Sequence, residues 1–203
     1  MPATFILIRH ASCDPIGISI SGRLPDIHLN SKGAKEAENL ATRLARSRIS
    51  KIYSSPLERA LETAKPLSRE LGIATITSEH FAELEFGQWT GSPLQDLASS
   101  EHWKRFNTFR SGTRIPEGEL MLEAQTRAIA ELIRISERHG GERIAIITHG
   151  DIIKSILLYA LGIPIDFLFR LEIDPASLSV ILWRWAEYGP TVLRFNDTGS
   201  VLS

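Results

Sequence analysis

The period of the hydrophobic pattern changes several times along the chain, and each change marks an element. Residues 4–8 (Thr-Phe-Ile-Leu-Ile) are a continuous apolar run of strand length, the pattern of a strand buried on both faces. Residues 11–30 interrupt it with Pro15, Gly17, Gly22, Pro25 and Asn30 and read as a loop. Ser31 is an N-cap candidate, and residues 32–46 then put Ala34, Ala37, Leu40, Ala41 and Leu44 on one helical face. Residues 51–54 read as a strand. Pro56 stands where a helix can begin, residues 57–71 continue it, and Gly72 stops it. Residues 74–77 offer another short strand.

Residues 81–118 are rich in Gly, Pro and aromatic side chains and read as an irregular insertion with a short helix near 99–109. A long helix is expected over 119–139, ended by Gly140 and Gly141. Residues 143–148 form a strongly apolar strand, 151–161 a helix, and 165–173, 177–185 and 191–195 closing strands. Strands alternating with helices predict an α/β fold: a three-layer α/β/α sandwich around a mainly parallel central sheet. With no repeat, linker or low-complexity tract, residues 1–203 read as a single domain whose 81–118 insertion covers the pocket.

Charge and cysteine content narrow the function. The net charge is -1, so no global positive field draws nucleic acid or an anionic membrane, and neither is expected as a partner. An anion must be held by local charge. The single cysteine, Cys13, forms no internal disulfide and excludes a cysteine-rich zinc site. The apolar run at 5–8 is too short and wrongly flanked for a signal peptide, and none approaches the ~20 residues of a membrane span. A cytoplasmic protein is expected.

In sheets of this kind ligands bind beyond the carboxyl ends of the strands. Three polar clusters fall there: Arg9-His10, Ser54-Ser55 and Thr148-His149-Gly150. Alone, His10 reads as a nucleophile, a general base or a satisfied structural residue. His149 at the end of another strand and the start of a helix, with Arg9 beside the first histidine, makes an anion site, since helix N-termini present unpaired N–H groups. Arg59 lies in the first turn of its helix, against the macrodipole; the alternative is a surface arginine paired with Glu58 or Glu62. Glu83 stands among Phe81, Leu84, Phe86 and Trp89. Desolvated there, its carboxyl would rise toward neutrality, as a general acid requires; the alternative is a solvated loop glutamate.

Leu7-Ile-Arg9-His10-Ala11, Ser54-Ser-Pro-Leu-Glu-Arg59-Ala-Leu-Glu-Thr-Ala64, Glu83-Leu-Glu-Phe-Gly-Gln-Trp-Thr-Gly91 and Thr148-His149-Gly150 together resemble the histidine phosphatase superfamily, or phosphoglycerate mutase-like family. Ser21-Gly22-Arg23, the stretch from Leu29 to Gly33, and Pro116-Glu-Gly-Glu119 are similar to further family segments, in family order up to about residue 162. The resemblance implies a phosphoglycerate mutase-like fold and a phosphomonoesterase. His10 would become phosphorylated, Arg9, Arg59 and His149 would hold the phosphoryl oxygens, and Glu83 would act as general acid and base. Glu83 is preferred to Glu85 for its offset from Phe86-Gly87. Gly22, Arg23 and Gly150 join the implied substrate-binding set. No cofactor and no metal is implied, and the partner is a small-molecule phosphate ester.

The chain departs from the family pattern in three places. Ala11 replaces a glycine. Ile16 occupies the position of a phosphate-contacting asparagine, for which Ser12 or Cys13 are the candidate substitutes. Leu84, Glu85 and Phe86 replace the arginine and His-Tyr-Gly of the cofactor-dependent mutases, which favours a phosphatase over a mutase. A non-catalytic phosphate-binding module is the alternative from another class. Trp89, Trp103, Phe106, Phe109, Arg105, Arg110 and Arg114 suggest a pocket roof for an apolar or ring-bearing ester, with an arginine for a second anionic group; equally, the aromatics pack the insertion onto the core. The apolar 165–185 stretch suits a sheet edge or a homodimer contact.

Overall fold

The computed structural model of the chain describes residues 1–184 and 189–199. In chain order the elements are β1 (Ala3–Arg9), α1 (Ser31–Leu44), β2 (Ile49–Ser54), α2 (Glu58–Leu71), β3 (Thr75–Thr77), α3 (Leu94–Leu97), α4 (Glu101–Thr108), α5 (Met121–Arg138), β4 (Arg143–Thr148), α6 (Gly150–Leu161), β5 (Leu178–Arg184) and β6 (Gly189–Asp197). The strands form one sheet in the order β3-β2-β4-β1-β5-β6. The first four of that order run parallel, and β5 and β6 add an antiparallel edge. The expected mixed α/β sheet with helices on both faces is observed.

Alternation along the strands builds two cores. Phe5, Leu7, Tyr53, Ile144 and Ile146 face α5 and α6, while Ile6, Ile8, Ile52, Ala145 and Ile147 face α1 and α2. Each such side chain taken out of water contributes roughly 1.5–3 kcal/mol, which is why β1 and β4 read as unbroken apolar runs. The central strands are thereby held rigidly, and with them their carboxyl ends. Among the described residues no helix is long and apolar enough to cross a membrane.

Several elements differ from the sequence expectation. α1 begins at Ser31, and its N-cap is Asn30, whose side chain accepts the Gly33 N–H at 2.9 Å. The insertion carries α3 as well as α4. The strand expected at 165–173 is instead a 3-10 segment, Ile165–Arg170, entered from Pro164. Ile165 and Leu168, three apart, turn inward, while Phe167 and Phe169 stay exposed. Asp166 accepts both the N–H and the hydroxyl of Ser111, each at 2.8 Å, which ties this turn to the insertion. The expected strand 177–185 ends at Arg184 as β5; Trp185 lies outside the described residues.

The start of α1 is pressed against the loop that follows β1. Asn30 N–H donates to the Ser12 carbonyl at 3.1 Å. Glu36 accepts from Ser12 N–H at 2.8 Å and from Ser12 Oγ at 3.0 Å. A Cβ on Gly33 would lie 2.0 Å from the Ser12 carbonyl oxygen, so only glycine allows this approach. Gly33→Ala is therefore expected to lower unfolding stability by about 1–3 kcal/mol in urea titration; an unchanged midpoint would show that α1 does not bear on the loop.

Candidate active site

The parallel register brings the three polar strand ends together. Arg9 lies opposite Thr148 across β1 and β4, and Ser54 opposite Ile147 across β2 and β4. Each ladder runs one bond further: His10 N–H donates to the Thr148 carbonyl and Ser55 N–H to the Ile147 carbonyl, both at 2.9 Å. His10, Ser55 and His149 thus leave adjacent strands at one edge of the sheet. His149 is also the extended N-cap residue of α6. The two imidazole centroids are 5.2 Å apart.

The His10 ring is almost wholly buried, and its Nδ1–H donates to its neighbour's carbonyl, Ala11, at 2.9 Å. That bond leaves the Nε2 lone pair as the reactive one. Burial above all, then the Arg59 and Arg9 charges, hold His10 down at about 3, against the Ala11 bond. The ring is neutral near pH 7, as a nucleophile must be. Ala11 has no positive φ, so its methyl group fits where the family has glycine. Its N–H donates to Thr63 Oγ1 at 2.9 Å, and that hydroxyl donates to the Arg59 carbonyl at 2.7 Å. Thr63 thereby couples the residue after His10 to the first turn of α2.

Arg59 is 2% exposed, and its Nη2 donates to the Gly22 carbonyl at 2.8 Å; it is not paired with Glu58 or Glu62 at the surface. Gly22 reaches this position with φ +49. Arg9 Nη1 donates to the Ile173 carbonyl, and its guanidinium lies against Gly150, where a Cβ would approach Arg9 Nε to 3.3 Å. His149 Nε2 is 2.7 Å from Ser55 Oγ, which already accepts the Leu57 N–H. With the Ser55 hydroxyl donating to Nε2, the His149 hydrogen sits on Nδ1. Burial, then Arg59, lower the His149 pKa well below its usual value, so this ring too is neutral.

Arg9 Nε, Arg59 Nη1 and His149 Nδ1 have no hydrogen-bond partner among the described residues. A buried donor left so costs about 1–3 kcal/mol each. Three at one strand edge, two of them cationic, describe a cradle that an oxyanion would satisfy. The cleft holds about 240 Å³ and is lined by Arg9, His10, Gly22, Arg59, Glu83 and Gly150, among others.

Glu83 comes from the insertion. Its Oε1 accepts the Leu84 N–H at 2.9 Å, and its Oε2 lies 3.9 Å from His149 Nδ1. Burial, then the Asp151 charge, push it up to about 7, against Arg59, the Leu84 bond and Arg9. Arg127 Nη2 and Arg23 Nε hold the Glu83 carbonyl at 3.1 and 2.8 Å.

Arg23 departs from expectation: it spans Glu83 and Glu119 from behind and does not line the cleft. Ser12 is turned away to Glu36, so of the two candidates for the missing asparagine only Cys13 lines the cleft, beside Ile16. Burial pushes the Cys13 thiol up, which keeps it neutral. Trp89 meets Trp103 and Phe106 edge to face and Trp103 lies tilted against Phe106, with centroids 5.1–6.0 Å apart, and the three pack the insertion onto the core. Arg105, Arg110 and Arg114 do not line the cleft; Arg114 pairs with Glu123 and Arg110 with Asp151. Sequence reasoning placed Ser55 at a strand end of the site but gave it no role, and it missed Thr63 as a support and Asp151 as a lining residue. Ser55 and Thr63 each carried one signal, a hydroxyl at a strand end or one turn after Arg59.

A family model described as histidine phosphatase superfamily (branch 1) matches residues 5–198. Phosphoglycerate mutase-like protein 4 of Arabidopsis thaliana is 33% identical over 160 residues, 76% of this chain and 69% of that protein. Phosphoserine phosphatase 1 of Hydrogenobacter thermophilus is 26% identical over 195 residues, 95% of this chain and 92% of that protein. The solved structure of Bacillus stearothermophilus YhfR superposes with a TM-score of 0.88 at 25% identity, covering 96% of this chain and 97% of that chain.

An oxyanion cradle predicts that inorganic phosphate stabilises the fold. At about 100 times its Kd the gain is about 2.7 kcal/mol, read as a rise in Tm. Arg59→Met should abolish the rise; an equal rise in that variant would place phosphate elsewhere.

Proposed function

The chain belongs to the histidine phosphatase superfamily (branch 1), and on that premise we propose that it hydrolyses phosphomonoesters through a phosphohistidine on His10. The observation that carries this reading is the His10 Nδ1–H bond to Ala11, which directs a neutral Nε2 lone pair toward a cleft lined by two guanidinium groups.

In the first step Nε2 attacks phosphorus and the P–O bond to the alcohol breaks. Protonated Glu83 gives its proton to the departing oxygen. Arg9, Arg59 and the His149 Nδ1–H take the charge that develops on the three phosphoryl oxygens. In the second step Glu83, now a carboxylate, takes a proton from water. The water oxygen bonds to phosphorus, the N–P bond breaks, and inorganic phosphate leaves with His10 neutral again. Gly22 and Gly150 matter as backbone: one carbonyl orients Arg59 and the other residue gives Arg9 room. The 81–118 insertion forms one wall of the cleft through Glu83, Phe86 and Leu94.

The mutase alternative, suggested by the name of the Arabidopsis relative, needs a cation for the glycerate carboxylate. Among the described residues Arg9 and Arg59 are the cations lining the cleft, and both serve the phosphate. Leu84 is in the core, and Glu85 lies near Arg23. The reading places a small-molecule phosphate ester as the partner, in the cytoplasm.

His10→Ala should remove phosphatase turnover and the acid-labile, alkali-stable phosphoryl label trapped by rapid quench. A label that persists in this variant would refute the mechanism.

Glu83 gives a second outcome. Its carboxyl must be protonated to act as acid, and it is so below about pH 7. For an alkyl phosphate, kcat/KM should therefore fall as pH rises through that value, whereas His10, held near 3, stays neutral throughout. Glu83→Gln should lower kcat/KM, which reports the step in which the alcohol departs, by about 10²–10⁴-fold on alkyl phosphates. The loss should be much smaller on 4-nitrophenyl phosphate, whose leaving group departs unprotonated. Equal losses on both would remove Glu83 as the acid.

A further inference from the structure

We propose that Asp151 sets the substrate class of this site by excluding esters whose alcohol part carries a second anionic group close to the phosphate. The inference rests on the phosphatase reading above. Asp151 follows Gly150 in the first turn of α6 and lines the same cleft as His10, Arg59 and Glu83. About a quarter of its side chain is exposed, 24%.

The carboxylate is held in place from behind. Arg110 Nη1 donates to its Oδ2 at 2.9 Å. Arg110 is itself buried, with its guanidinium 4.4 Å from the Phe106 ring centroid and 4.7 Å from that of Phe169. Its Nη2 donates to Asn107 at 3.1 Å. The start of α6 therefore presents a carboxylate to the cleft while its cationic partner, from the insertion, stays out of the lining. After burial, the Asp151 charge is the next cause of the raised Glu83 pKa, as two carboxyl groups lining one cleft would produce.

A bound phosphate dianion takes both guanidinium groups of the cleft. What then faces the alcohol part is Ile16, Ile20, Phe86 and Leu94, the hydroxyl-bearing Ser19 and Ser21, and Asp151. A carboxylate there would be desolvated against apolar walls and a like charge. Hydroxyl and ammonium groups, by contrast, are donors that a carboxylate accepts. The favoured substrates are thus small esters whose alcohol part is neutral or cationic. This separates the chain from the phosphoserine phosphatase it resembles.

Two pairs of esters, each differing by one carboxylate, test this. sn-Glycerol 3-phosphate is compared with 3-phosphoglycerate, and phosphoethanolamine with phosphoserine. In the wild type kcat/KM should favour the first member of each pair by about tenfold or more, the scale of one like charge at short range that its ion pair only partly offsets. Asp151→Asn keeps an oxygen for Arg110 and should bring each ratio within about threefold of unity. Changes it causes at Glu83 act on both members of a pair and divide out. Wild-type ratios at or below one would overturn the proposal, even if that variant failed to fold, and so would ratios that survive the substitution in a folded protein. A protein that hydrolyses neither member and forms no phosphohistidine would overturn the phosphatase reading itself, and this inference with it.

Discussion

The site depends on a crowding of like charge. Two guanidinium groups and two imidazoles are gathered at the carboxyl ends of β1 and β4 and the start of α2, with Arg59 and both imidazoles buried and Arg9 partly so. An incompletely paired buried cation costs several kcal/mol, against a net stability of about 5–15 kcal/mol for a typical domain. Surface ion pairs such as Arg69 with Glu38 return only about 0.2–1 kcal/mol and do not offset it. The two apolar cores that hold the strands in register do. Burial first and the guanidinium charges second keep both imidazoles neutral, and the unpaired donors leave an oxyanion as the group that satisfies the cluster.

Each reacting group is fixed through backbone. His10 is aimed by its neighbour's carbonyl, Arg59 by the Gly22 carbonyl, and Glu83 by the Leu84 N–H and by two arginines on its own carbonyl. Ser55 sets the His149 tautomer from the end of the adjacent strand. Such support makes the donors ready before the substrate arrives, which is where most of the gain in phosphoryl transfer lies.

What the sequence disclosed follows the strength of its local signals. The 143–148 strand was legible residue for residue, because a strand buried on both faces is written as unbroken apolar sequence. His10, Arg59 and His149 were legible because strand ends and a helix start fix where those side chains must go. Where direction depends on packing, the sequence was silent. Arg23 sits one residue from the cleft yet points to Glu83 and Glu119 from behind. Arg110 lies in a stretch of arginines and aromatics but faces Asp151. The apolar 165–173 run suits a strand or a turn equally, and Pro164 with Asp166 decided it. Asp151 was overlooked because an acidic residue in the first turn of a helix is already explained by the macrodipole.

The most direct test of the convergence of these groups is a crystal structure with vanadate, which adopts the five-coordinate geometry of the transferring phosphoryl group. The account predicts vanadium bonded to His10 Nε2, its oxygens contacted by Arg9, Arg59 and His149 Nδ1, and Glu83 facing an oxygen. Vanadate bonded to Nδ1 or to Cys13, or seated away from both arginines, would contradict it.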